Sequence, residues 1–193
     1  ERDPDLIYTR CVATPNGWTF VIPNQDSVSY GYLYNNNITK KEDAIDDFIS
    51  RFNLDEITDS LNFDNYMAKS FYNGNRTILQ GNMYGFIEPM EATSVAFYQT
   101  ICRESWDFIF QLQTAEQCNN RIRNNMKQLE NIILWHYQYG SKYDTPFWDY
   151  AKSLPFNPDD KFYEMISDEK NDPEMYGQWL KWNFDNWKKG VEC

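Results

Sequence analysis

The pattern of apolar and polar positions divides this chain into an early extended part and a later helical part. Leu6–Thr9 and Cys11–Ala13 lead to a turn at Thr14-Pro15-Asn16-Gly17, where Asn-Gly is a strong turn signal. Trp18–Pro23 predicts a second strand, and Ser27–Tyr34, with Tyr at every second position from Tyr30, a third. Thr39 followed by Glu42 fits a capping box, and Ala44, Ile45, Phe48 and Ile49 make one apolar stripe, so a helix is expected there. Residues 53–73 read as irregular apart from one candidate strand, and Thr77–Gln80 as a short strand running into Gly81. Beyond Pro89 the period becomes helical. Val95, Tyr98, Cys102, Ser105, Ile109 and Leu112 keep one helix face, and Cys118, Ile122, Met126, Leu129, Ile133 and His136 keep another. A Pro-broken stretch follows at 143–160, with Tyr143–Trp148 expected as a packed turn. A last helix is expected from Asp172 as cap and Pro173 as first residue to about Gly190. Strands first and helices second predict an α+β class, or the tail of a larger α/β protein. The expected division is 1–93, strand-rich, and 94–193, helical.

Composition changes this picture little. The 193 residues include 41% hydrophobic and 24% charged positions, enough for a packed core. Aromatic residues make up 18%, with 7 Trp, 14 Tyr and 13 Phe, which suits either a core or a pocket for a flat ligand. The net charge of -11 disfavours nucleic acid and anionic membrane surfaces as partners. No apolar run is long enough to cross a bilayer. Cys11, Cys102, Cys118 and Cys193 lack metal-ligand spacing and fit thiols in a reducing, cytoplasmic compartment. A single histidine, His136, speaks against a zinc site, and its place beside Trp135 suits a buried, hydrogen-bonded structural role. The opening Glu1-Arg2-Asp3-Pro4 reads like the middle of a longer protein.

The candidate chemistry lies in Phe86-Ile87-Glu88-Pro89-Met90-Glu91-Ala92-Thr93-Ser94, a loop entering a helix. Thr93 or Ser94 would cap that helix, leaving first-turn amides able to hold a small anion. Glu91 stands just before them, and a carboxylate so close to an anion must be held by the loop or be partly protonated. The same residues would also serve simply as a cap and a dipole-matched first turn.

Gly81–Thr93, reading GNMYGFIEPMEAT, resembles the G-N-x-x-x-F-[IV]-E-P-L-E-[SA]-T segment of flavin-dependent halogenases of the tryptophan-halogenase type. Gly17–Pro23 is similar to that family's G-W-x-[WF]-x-I-P, Gly31–Tyr34 to its G-Y-[VL]-Y, and His136-Tyr137 with Asp144–Trp148 to its H-Y…[DN]-T-P-F-W. The resemblance implies a catalytic Glu91, a halide held at Thr93 and Ser94, and Gly81 and Asn82 on the flavin side. It also implies reduced FAD from a separate flavin reductase, an indole-like aromatic substrate, and a homodimer. Trp179 and Trp182 are the substrate-side candidates, although their spacing equally suits helix packing.

Departures from the family pattern define alternatives. Ser94 stands where Gly is usual, Met90 where Leu is, and Trp18-Thr19-Phe20 where W-x-W is common. The weakened W-x-W admits a flavin-dependent hydroxylase, and the aromatic content admits a non-enzymatic aromatic-binding module. No G-x-G-x-x-G occurs, and the family's lysine lies in the corresponding N-terminal portion; Lys40, Lys41 and Lys69 do not replace it. The chain is therefore expected to depend on a missing N-terminal flavin-binding portion.

Overall fold

The computed structural model describes residues 7–167 and 175–192. They form an α+β structure with two small antiparallel sheets and, among the described residues, six α-helices. Contacts group them into two compact units. One joins the described residues up to Asn62 with His136–Pro155; the other joins Phe63–Trp135 with the described residues from Phe156 onward. Residues 93 and 94 both fall inside the second unit.

The first unit is built on a three-stranded meander, β1 (Arg10–Thr14), β2 (Gly17–Pro23) and β3 (Val28–Tyr34), in the order β1-β2-β3. Thr14 pairs with Gly17, so the hairpin loop is Pro15-Asn16. Asn-Gly marks the turn, but not through positive φ: none of Pro15, Asn16 and Gly17 has one. Gly17 is needed for room, because a Cβ there would sit 1.8 Å from the Leu33 carbonyl oxygen on β3. Likewise Gly31 lies under the Phe20 ring, its cross-strand partner. Ile7, Tyr8 and Thr9 precede β1 rather than forming a strand, and Leu6 lies outside the described residues.

Helix α1 (Lys41–Phe52) packs on β3 through Tyr32 against Phe48 and Tyr30 against Phe52. The Tyr32 hydroxyl donates to Asp47 at 2.8 Å, and burial pushes its pKa up to about 12. The expected capping box does not form. The Thr39 amide is already bonded to the Asn35 carbonyl, so the helix starts after Lys40, with no side-chain cap.

Contrary to the packed turn expected at Tyr143–Trp148, Pro146 opens a helix, labelled α4 below, that runs to Ser153. Proline suits the first helical position because its missing N–H has no partner there anyway. Trp148 donates to the Thr14 carbonyl at 2.7 Å, Thr145 to that of Pro15 at 2.5 Å, and Trp18 to the Tyr137 hydroxyl at 3.2 Å. Three of the four family-like motifs therefore meet in this one unit.

The second unit carries β4 (Tyr66–Met67) paired with β5 (Gly85–Phe86), then α2 (Thr93–Ile109), the long α3 (Ala115–Tyr139), whose last turn belongs to the first unit, α5 (Asp160–Ile166) and α6 (Lys181–Glu192). Thr77–Gln80 is not a strand; only a single bridge, Tyr72 to Ile78, occurs there. On α2 the buried residues are Thr93, Phe97, Ile101, Glu104 and Ser105; of the series read from sequence only Ser105 is among them, and Val95 and Ile109 are exposed. The series on α3 is buried throughout, from Cys118 to His136. Asp172 and Pro173 lie outside the described residues, but Met175–Leu180 is not helical and the last helix begins at Lys181. Among the described residues Cys11, Cys102 and Cys118 are thiols rather than disulfides. No helix among the described residues is long and apolar enough to cross a membrane.

Because the obstacle at Gly17 is backbone, Gly17→Ala forces β2 and β3 apart. It is expected to destabilise the protein by about 2–3 kcal/mol, the upper range for overpacking. Urea unfolding would show this as a lower midpoint at an unchanged slope.

Candidate functional site

The segment that enters α2 is held by its apolar residues. Ile87 and Met90 are buried, whereas Glu91 and Ala92 are exposed. Met90–Ala92 forms a 3₁₀ turn, and both Glu91 (φ 60, ψ 17) and Ala92 (φ 52, ψ 31) lie in the left-handed region. For non-glycine residues this costs about 1–2 kcal/mol each. Burying Ile87 and Met90 contributes about 1.5–3 kcal/mol each, enough to offset it. The Ala92 amide donates to the Pro89 carbonyl at 3.0 Å, and the Glu88 amide to Asn65 Oδ1 at 2.9 Å, which ties the loop to the segment before β4.

The expected caps do not cap. The residue preceding α2 is Ala92, and no side chain closes the helix start. The hydroxyls of Thr93 and Ser94 instead donate backwards, to the carbonyls of Glu88 and Ile87, each at 3.3 Å. They lock the loop against the helix and leave the first-turn N–H groups uncapped by any side chain. Such amides, at the positive end of a 17-residue helix, can hold a small anion. Glu91 stands at the entrance to that position, followed by Ala92, whose methyl adds no charge.

Gly81 and Asn82 lie on an adjoining 3₁₀ turn, Gly81–Met83. Gly81 has φ +54, and nothing lies within 4 Å of where its Cβ would be. Asn82 is clasped on both sides: its carbonyl accepts from the Tyr66 hydroxyl and its side-chain oxygen from that of Tyr98 on α2. Gln80 donates to Ser105 at 2.6 Å. This turn and the Glu91 loop are thus both fastened to α2. The open, positive-φ glycine fits close approach of a flat cofactor ring, so the residues present suit one wall of a flavin site.

The aromatic tail centres on Trp135 of α3. Phe162, Phe184 and Trp187 pack on it with ring centroids within about 5 Å, and Trp179 at 6.4 Å. Trp179 is buried in this cluster, while Trp182, on the first turn of α6, is 59% exposed. The two are not on one helix, because Trp179 closes a tight turn before α6. In that turn Tyr176 and Trp179 exchange backbone bonds of 2.8 and 2.9 Å. Gly177 supplies the required positive φ (+59), and its amide donates to Gln128 Oε1 at 3.0 Å. The buried Tyr176 hydroxyl accepts from Asn131 at 2.7 Å. Gln178, at the turn's tip, donates to the Glu91 carbonyl at 2.7 Å. Sequence reasoning missed Gln178. The one signal for it was Gly177 inside an expected helix, where glycine is unfavourable.

The tryptophan halogenase family model matches residues 2–189, and the chain belongs to that family. It is 27% identical over 158 residues to the tryptophan 7-halogenase RebH of Lentzea aerocolonigenes, covering 76% of this chain and 29% of that protein. It is 23% identical over 155 residues to the tryptophan 6-halogenase ThaL of Streptomyces albogriseolus, with the same coverage, 76% and 29%. Among solved structures, BrvH, a flavin-dependent halogenase from Brevundimonas sp. BAL3, superposes with a TM-score of 0.75 at 20% identity, over 95% of this chain and 39% of that one. A tryptophan halogenase from Shewanella frigidimarina gives 0.72 at 20% identity, over 95% and 38%. The chain thus spans about 29% of the length of the curated relatives it matches.

Burial, opposed by the Asn131 hydrogen bond and aided by nearby Asp159, pushes Tyr176 up to about 12. The folded state favours the neutral phenol more than the unfolded chain does. Its stabilising contribution is therefore complete below about pH 10 and is lost as pH rises towards about 12. Tyr176→Phe is expected to flatten this alkaline loss, which thermal melts between pH 9.5 and pH 12 would follow on the order of those pKa values.

Proposed function

We propose that this chain forms the halide and substrate side of an FAD-dependent halogenase that acts on an indole-like aromatic ring. The observation that carries the reading is the left-handed pair Glu91-Ala92, which sets an exposed carboxylate at a helix start that no side chain caps, in a member of the tryptophan halogenase family. Backbone strain of this kind concentrates where function requires it.

In this reading, reduced FAD and dioxygen supply the oxidising power that converts a halide into a halogenating species. The N–H groups at Thr93 and Ser94 hold the halide by hydrogen bonding along the dipole of α2. Glu91 orients the halogenating species and can accept the proton released from the aromatic carbon. Gly81 and Asn82 face the flavin, with Tyr66 and Tyr98 fixing Asn82. Trp182 offers an open aromatic face to the substrate, and Trp179, from within the Trp135 cluster, fixes the turn beside it. Ser94, with its hydroxyl committed to Ile87, narrows the halide position relative to the glycine usual in the family. The flavin-binding fingerprint and the family's lysine come from residues outside this chain. A separate reductase supplying reduced FAD, a homodimer and a cytoplasmic setting belong to the same reading.

A second reading, a flavin-dependent aromatic hydroxylase, is favoured by Phe20 in place of a tryptophan. Its ring lies over Gly31 and makes only an edge contact with Trp18, at 6.3 Å.

The test uses the full-length protein containing this chain, with reductase, dioxygen, bromide and an indole. Brominated product is expected, and Glu91→Gln should lower kcat by about 100-fold or more, as loss of a positioned proton acceptor does. Hydroxylated product alone would favour the second reading. Bromination at the normal rate in Glu91→Gln would remove Glu91 from the mechanism.

A further inference from the structure

We infer that Gln178 is a positioning residue for Glu91, acting through the peptide that follows it. The inference rests on the proposed role of Glu91 in halogenation. It names a second element of that site, far along the chain and not part of the halide loop.

The peptide joining Glu91 to Ala92 has two free rotations, ψ of Glu91 and φ of Ala92, and both residues occupy left-handed geometry. For side chains with a Cβ this geometry competes with ordinary right-handed alternatives. Returning both residues to right-handed geometry also requires φ of Glu91 to change; it would turn this peptide over, swing the Ala92 N–H away from the Pro89 carbonyl and re-aim the Cα–Cβ bond of Glu91. The Glu91 carbonyl oxygen is the outward handle on this rotation, and Gln178 Nε2 holds it at 2.7 Å. A neutral amide is well suited to the task. It donates to a carbonyl without bringing a cation that would pair with the Glu91 carboxylate, or an anion that would oppose a halide.

The tip that carries Gln178 is held by hydrogen bonds and by packing. The turn has a single two-residue loop, Gly177-Gln178, between mutually bonded Tyr176 and Trp179. Gln128 and Asn131, one turn of α3 apart, hold the Gly177 amide and the Tyr176 hydroxyl. Trp179 is sunk into the Trp135 cluster. Gly177 admits no substitute readily: a Cβ would lie 3.1 Å from both Ile132 and Leu129, at a φ that side chains avoid. This anchoring transmits the position of α3 to the carbonyl of Glu91, 87 residues away in sequence.

The test is a double-mutant cycle in the full-length enzyme with reductase, dioxygen, bromide and an indole. Gln178→Met keeps the length of the side chain and removes the donor. It is expected to lower kcat about 10–100-fold, the loss that follows displacement of a reacting group by about 1 Å, with KM for the indole unchanged. Gln178→His returns a ring N–H donor without a fixed positive charge above about pH 7.5 and should recover part of the rate. In the Glu91→Gln background, Gln178→Met should cost nothing further, because the group it positions has gone. Unchanged kcat in Gln178→Met overturns the inference. So does a loss of equal factor in both backgrounds, which would leave the role of Glu91 intact while assigning Gln178 to another function. Full activity in Glu91→Gln overturns the catalytic reading itself, and the inference with it. If Gln178→Met does not fold, the comparison of Gln178→His with Gln178→Glu decides: the carboxylate, which cannot donate, must lose activity that the histidine keeps.

Discussion

The structure turns on two consecutive residues in a conformation that their side chains disfavour. Glu91 and Ala92 are both left-handed, and neither is glycine. Much of the second unit can be read as the means of holding them there. Ile87, ahead of the turn, and Met90, its first residue, are both buried. Thr93 and Ser94 bond back to Glu88 and Ile87, and Asn65 fixes the Glu88 amide. Gln178 takes the Glu91 carbonyl from the far end of the chain. Each bond is modest, about 1 kcal/mol. Together with burial they suffice to fix one conformation of a short loop, and a carboxylate at an uncapped helix start is the result.

The first unit solves a different problem with the same economy. Its glycines are placed for room rather than for turning: Gly17 lets β3 approach and Gly31 accommodates the Phe20 ring. Its tryptophans each use their one donor, Trp18 towards Tyr137 and Trp148 towards Thr14. The motifs it shares with the halogenases are thus explained by packing. The residues proposed to meet a halide and a flavin lie in the GNMYGFIEPMEAT segment of the second unit.

Much of this was legible in the sequence where one local rule dominated. The three strands followed from alternation, and α3 from a single apolar series whose members are all buried. The family was legible because a long, ordered string resembled it. What was not legible involved competition between local rules and distant partners. Thr39, Thr93 and Ser94 are all good caps by residue type, yet the Thr39 backbone is committed to Asn35 and the other two hydroxyls to carbonyls of the loop. Pro146 was read as a breaker and is a helix opener. On α2 the choice between neighbouring faces was decided by what packs beneath Phe97 and Ile101, which no spacing rule contains. The Tyr176–Trp179 turn was hidden inside an expected helix, and its partner loop lies far upstream.

The central claim is that the start of α2, with Glu91 at its mouth, is where a halide is held for transfer to an aromatic ring. Anomalous X-ray diffraction from crystals of the full-length protein soaked in bromide tests it most directly. The account predicts a bromide peak in hydrogen-bonding contact with the N–H groups of Thr93 and Ser94, beside the Glu91 carboxylate. A functional enzyme whose bound bromide lies elsewhere, with none at the start of α2, would contradict it.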